Sequence, residues 1–121
     1  MNISTEALFD VTAHEDIHTI HLSPAIRERD RVADFREQLL AFLEDQKPRK
    51  VQVNFASAGF FSSEAISALV EGQKRLKETG GRMVLSGMSS DLRNVFEICR
   101  LNAKVFEIYD LYTEATAALM D

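Results

Sequence analysis

One cysteine, Cys99, is all this chain contains, which excludes an internal disulfide and any multi-cysteine metal site and fits a reducing compartment. The two prolines, Pro24 and Pro48, fall at apparent element boundaries. No linker rich in Pro, Gly or Ser, no low-complexity tract and no internal repeat divides the 121 residues, so residues 1–121 read as one domain. A chain of this length buries about two-thirds of its unfolded surface and can rest on a single core. An excess of positive charge is also missing. At a net charge of −5 the surface repels phosphate backbones and anionic lipid, which argues against nucleic acid as the main partner. No run approaches the ~20 apolar residues that a membrane span needs. The opening Met1–Asp10 has neither the basic start nor the apolar core of a leader, and the expected location is the cytoplasm.

The signatures of chemistry are absent too. There is no Gly-x-Ser-x-Gly elbow and no glycine-rich phosphate loop. Cys99 is expected on the apolar face of a helix, where a thiol is inert. His14, His18 and His21 cluster, but on a strand residues 18 and 21 point to opposite faces and no carboxylate stands at ligand spacing; they read as solvated strand residues. Neither an enzyme, a metal nor a cofactor is expected.

What is present is patterning, in a chain 45% hydrophobic and 27% charged. Ala7–Ala13 and Ile17–Leu22, separated by His14-Glu15-Asp16, read as a hairpin. From Asp30, a candidate N-cap, Val32, Phe35, Leu39, Leu40, Phe42 and Leu43 recur at helical spacing up to Pro48. Lys50–Phe55 reads as a central strand with Val51, Val53 and Phe55 on one face. Ser62–Thr79 is helical through Ile66, Leu69, Val70 and Leu76 and stops at Gly80-Gly81, suited to a left-handed C-cap. Met83-Val84-Leu85 is a further strand, and Ser89-Ser90-Asp91 caps a short helix carrying Leu92, Val95, Phe96 and Cys99. Val105–Tyr109 is the last strand and Tyr112–Met120 a closing helix with Glu114 in its first turn. The order β-β-α-β-α-β-α-β-α implies a largely parallel sheet after the first hairpin.

The stretch Gly80-Gly81-Arg-Met-Val-Leu-Ser-Gly-Met-Ser-Ser-Asp-Leu-Arg-Asn-Val-Phe-Glu-Ile-Cys-Arg-Leu-Asn, continuing through Val105–Tyr109 into the final helix, resembles the STAS domain, the fold of sulfate transporters and anti-sigma-factor antagonists. The resemblance spans roughly residues 6–120. It implies an α/β fold with a single mixed, largely parallel β-sheet and helices packed on one side. It also implies a cytoplasmic anti-sigma-factor antagonist: a phosphorylation-gated switch that binds a histidine-kinase-like serine kinase, the anti-sigma factor, and so frees a sigma factor. A non-phosphorylated STAS interaction subunit of a larger regulatory or lipid-transport complex is the alternative. A small-ligand sensor is the third reading, for which no phosphate cradle is recognisable.

Regulatory members carry aromatic, aliphatic, Asp, Ser, Ser or Thr, Gly at the start of the helix after the central strand. Here the register reads Phe60-Phe61-Ser62-Ser63-Glu64-Ala65, so the resemblance puts Ser63 at the phosphorylated position, with Ser62, Glu64 and Ala65 replacing Asp, the hydroxyl residue and Gly. Pro24-Ala25-Ile26-Arg27 stands where a glycine-acid-aliphatic-Asp pattern lines the partner face, and Arg27 reverses the local charge. The implied partner surface is therefore Arg27, Phe61, Ser62, Ser63, Glu64 and Ala65. Read without the resemblance, Ser62 and Ser63 are helix caps and Glu64 favours the helix by ~0.3–1 kcal/mol; under the resemblance, Glu64 repels an incoming phosphate and partly imitates a modified site. Exposed, Phe60 and Phe61 would anchor a partner; following a core strand, at least one is expected to be buried.

Overall fold

The computed structural model describes residues 7–102 and 105–120. The segment 1–6, part of the stretch read above for a leader, lies outside the described residues. The hairpin is formed by β1 (Phe9–His14) and β2 (Ile17–Leu22), with Glu15 taking the left-handed conformation (φ 57°) that the tight turn requires. Next come 3-10 turns at Pro24–Arg27 and Arg29–Arg31, then α1 (Val32–Gln46), β3 (Lys50–Asn54), α2 (Ser63–Glu78), β4 (Arg82–Ser86), α3 (Ser90–Ile98), β5 (Glu107–Tyr109) and α4 (Tyr112–Met120). The strands pair in the order β1-β2-β3-β4-β5, antiparallel at the hairpin and parallel thereafter.

Helix ends follow the sequence signals with one exception. Gly80, at φ 81°, allows Gly81 N–H to reach back to Leu76 O at 2.9 Å, which is the left-handed stop expected of the glycine pair. Ser89 Oγ accepts from Leu92 N–H and caps α3. Asp30 is not the cap: it sits inside a 3-10 turn, and Arg31 occupies the cap position of α1 without a side-chain capping bond to the helix. The preceding turns bring the chain in through backbone bonds instead, Arg31 N–H donating to Glu28 O.

The last strand is shorter than the expected Val105–Tyr109. Val105 and Phe106 both direct their N–H groups back to Leu101 O, so pairing with β4 begins only at Glu107, opposite Val84. Arg82 and Glu107 are bridged there by two hydrogen bonds of 2.8 and 2.6 Å. The Arg82 hydrogen bond is the main cause that holds the Glu107 carboxyl below its ordinary 4.5, against the opposing effect of burial. A carboxylate lowered on folding adds stability above its unfolded value and loses it as pH falls through the folded value. Glu107→Gln should therefore lower the melting temperature modestly at neutral pH, where the charged pair contributes, and flatten the acid limb below about pH 4.5, where variant and native protein converge. An unchanged acid limb would assign the acid sensitivity to other carboxylates.

Alternation in β2, β3 and β4 creates two buried faces. Ile20, Leu22, Val51, Val53, Phe55, Met83 and Leu85 face the core shared with α1, α2 and α3. The expectation of helices on one side holds for these three. α4 covers the opposite face, where Ala115 and Leu119 meet Ile17 and Val84. Gln52 is also on that face and fully buried, with Ser86 Oγ donating to its Oε1 at 2.6 Å and its Nε2 donating to Thr116 Oγ1 at 2.9 Å. A buried amide of this kind is tolerated only because both ends are satisfied.

The histidines do lie on opposite faces, but they are not simply solvated. His14 is exposed, His18 packs edge-on against Phe42 of α1 at 5.8 Å, and His21 lies under Tyr112 of α4 at 6.1 Å. Among the described residues no three His, Cys, Asp or Glu side chains converge as a metal site, and no helix is long and apolar enough to cross a membrane.

Candidate functional site

Parallel pairing brings the carboxyl ends of β2, β3 and β4 to one edge of the sheet, the usual place for binding surfaces in such folds. The turn carrying Arg27, the segment 55–62 and the loop 87–89 all emerge there. Segment 55–62 is built from β3 outward. Phe55 N–H continues the ladder to Ser86 O at 2.8 Å, Ala56 N–H is taken by Asn54 Oδ1 at 2.9 Å, and Ala58 N–H closes a turn on Phe55 O. Gly87, at φ 75°, packs so closely that a Cβ would lie 2.9 Å from Asn54 Oδ1 and 3.2 Å from Ala56 N.

The two phenylalanines part company at this point. Phe61 is buried, its ring edge-to-face with Phe55 at 5.1 Å and with Phe35 at 5.7 Å. Phe60 is 51% exposed. Phe61 and Ala65, both put on the partner surface by the family resemblance, thus offer no side-chain area to a partner, since the core takes them; Phe60 is the aromatic that faces out. Pinning Phe61 in the core sets the direction in which the chain enters α2.

Ser62 is the N-cap of α2, its Oγ accepting from Ala65 N–H at 3.1 Å and its backbone O from Ile66 N–H at 2.9 Å. Ser63 is the first helical residue. It is exposed, and its Oγ carries no hydrogen bond among the described residues. Glu64 is exposed beside it. The amides of Ser63 and Glu64 and the positive end of the helix axis therefore surround a free hydroxyl, an environment that accepts added negative charge. Ser63 also borders two surface features: a depression lined by Val32, Phe60, Ser62 and Glu64, and an apolar groove formed by Ile66, Val70, Cys99 and Leu101.

Arg27 closes the first 3-10 turn, which Ser23 starts by accepting Ala25 N–H on its Oγ, and its side chain is exposed. It shares the sheet edge with Ser63, but among the described residues no hydrogen bond or ion pair joins the two. Cys99 departs from expectation: it is exposed at the C-cap of α3, past the last turn that Leu92 and Phe96 bury. Positions 92, 95, 96 and 99 form one stripe, and the pattern alone does not say where the core ends along it.

A family model described as the STAS domain matches residues 9–115. The chain belongs to the STAS domain family. Among solved structures, this STAS protein is similar to an anti-sigma-factor antagonist (STAS) domain protein of Planctomyces limnophilus, with 27% identity and TM-score 0.80 over 93% of this chain and 98% of that one. It shares its fold with an anti-sigma factor antagonist of Mycobacterium paratuberculosis at 17% identity and TM-score 0.81, covering 93% of each chain. It also shares it with the Bacillus cell fate determinant SpoIIAA in the phosphorylated form, at 18% identity and TM-score 0.70 over 93% of this chain and 99% of that one. A search of curated proteins finds no match.

Because Ser62 alone caps the STAS helix, the two serines separate in a melting experiment. Ser62→Ala should lower stability by ~0.5–2 kcal/mol, while Ser63→Ala should stay within about 0.5 kcal/mol. Equal losses in thermal or denaturant unfolding would mean that the cap is shared.

Proposed function

We propose that this STAS protein is a phosphorylation-gated interaction switch of the anti-sigma-factor-antagonist class. With Ser63 unmodified, the surface around Arg27, Phe60, Ser63 and Glu64 docks on an anti-sigma factor that is also a histidine-kinase-like serine kinase, and the sigma factor is released. Phosphate on Ser63 adds a charge of about −1.5 to −2 and its bulk at the docking surface and breaks the complex. The carrying observation is the division of labour between adjacent serines: Ser62 holds the helix, which leaves the Ser63 hydroxyl exposed and unengaged. Modifying Ser63 then alters binding without removing the cap. The fold shared with the Bacillus cell fate determinant SpoIIAA, solved in its phosphorylated form, supports the reading.

One observation favours a second reading. Glu64 stands in the same helical turn as Ser63, exposed, and repels an incoming phosphate. On that reading the protein is an unmodified STAS subunit of a larger assembly, docking through the same edge.

Capture of the tagged protein from its native cell, with mass spectrometry of the co-purified proteins and of Ser63, separates the two. A kinase-type anti-sigma factor together with a phosphorylated Ser63 fraction is the expected result. Other STAS chains with Ser63 wholly unmodified would overturn the switch in favour of the assembly subunit.

A further inference from the structure

We propose that His21 is a proton-sensitive latch on segment 55–62, the stretch that presents Ser63. Three side chains, one on each of three neighbouring strands, and the Ala56 amide of the segment form the latch. Ala56 N–H donates to Asn54 Oδ1 at 2.9 Å, which orients the amide so that Nδ2 points to His21 Nδ1, 3.3 Å away. His21 Nδ1 must therefore accept, and the ring proton sits on Nε2, which donates to Thr12 Oγ1 at 3.0 Å. The relay from β1 through β2 and β3 to the start of segment 55–62 is closed only by a neutral imidazole.

Protonating Nδ1 sets two donors face to face. Either the Asn54–His21 bond is lost, or the amide turns over, presenting Oδ1 to the imidazolium and its NH₂ to Ala56 N–H. In both cases one link of the relay opens. Little room exists for a partial response, since the space beside Asn54 Oδ1 is so tight that a Cβ on Gly87 would come within 2.9 Å of it. The surroundings of His21 are otherwise plain. Tyr112 of α4 stacks on its ring at 24° between planes, β3 offers the uncharged Asn54, and β1 contributes Thr12 and the cross-strand neighbour Asp10. Asp10 makes no ion pair with His21 among the described residues.

The consequence for docking rests on the reading of Ser63 above: binding weakens as pH falls through the range in which imidazoles gain charge. The latch itself is testable on the unbound protein, so the two fail separately. NMR titration between about pH 5 and 8 would follow the His21 ring and the Ala56 amide. In the native protein both signals should move with one midpoint. In Asn54→Ala the His21 ring should still titrate while the Ala56 amide no longer follows it; in His21→Gln, which keeps an acceptor toward Asn54, the Ala56 response should vanish.

Three results overturn the latch. One is a static Ala56 amide while His21 titrates in the native protein. A second is an Ala56 response that survives in His21→Gln, which would assign it to Asp10 or another group. The third is a His21 that does not titrate in this range at all. If the latch holds but partner affinity is flat across the same pH range, the docking assignment fails and the latch stands.

Discussion

Ser63→Asp should leave α2 folded and yet weaken the complex with the captured partner at least tenfold, or ~1.4 kcal/mol. An acid is favourable in the first turn of a helix, so far-UV circular dichroism and melting temperature should match the native protein or exceed it. The loss would come from a charge placed at the docking surface, next to Glu64 and between the Phe60 depression and the apolar groove. Ser62→Asp is the internal control. It keeps an oxygen that caps α2 and supplies the Asp that the family resemblance implies at this position, and it should bind as well as the native chain or better. Titration calorimetry of both variants against the captured partner gives the comparison, and native affinity for Ser63→Asp would reduce this hydroxyl to a surface feature.

The largest loss of stability should come from Phe55→Ala, about 3–5 kcal/mol, out of the 5–15 kcal/mol that holds a typical domain together. Phe55 is fully buried and its ring meets both Phe61 and Phe96 edge-to-face, at 5.1 and 6.2 Å. Phe61 in turn meets Phe35, and Phe96 meets Phe106, so one ring links α1, the approach to α2, α3 and the approach to β5. Removing it leaves a cavity its neighbours cannot close without disturbing each other. Phe60→Ala, five residues on, should change stability by no more than about 0.5 kcal/mol. Chemical denaturation measures both; a cost for Phe55→Ala under about 1.5 kcal/mol would show that the ring cluster relaxes and does not set the geometry of the Ser63 edge.

Element order and the sheet were legible because their signals are local. Alternation in Ile17–Leu22, the helical recurrence from Val32 to Leu43, and the Gly80-Gly81 stop each act within a few residues. The position of Ser63 at the opening of α2 was legible for the same reason. What escaped depends on contacts far apart in sequence. Phe60 and Phe61 are chemically alike, and only the arrival of Phe35 and Phe55 decides which is buried. Gln52 reads as a polar interruption until Ser86 and Thr116 supply its partners, and those same contacts put α4 on the far face of the sheet. His21 reads as one more strand polar group until Asn54, Thr12 and Tyr112 surround it. Asp30 failed as a cap because the preceding turns are 3-10, which no single residue type announces.

The strands pair strictly in the order in which they are made, each with the one before it. During synthesis every new strand thus finds its partner already present, and no edge waits open for a distant segment. The exception is the underside of the sheet: Ile17, Val84 and the Gln52–Ser86 pair stay uncovered until Tyr112–Met120 leaves the ribosome. A chain halted before α4 has its main core and its Ser63 edge in place but leaves an apolar sheet face bare, so synthesis of this domain passes through a stage at which the half that docks is finished and the half that keeps the sheet from sticking is not.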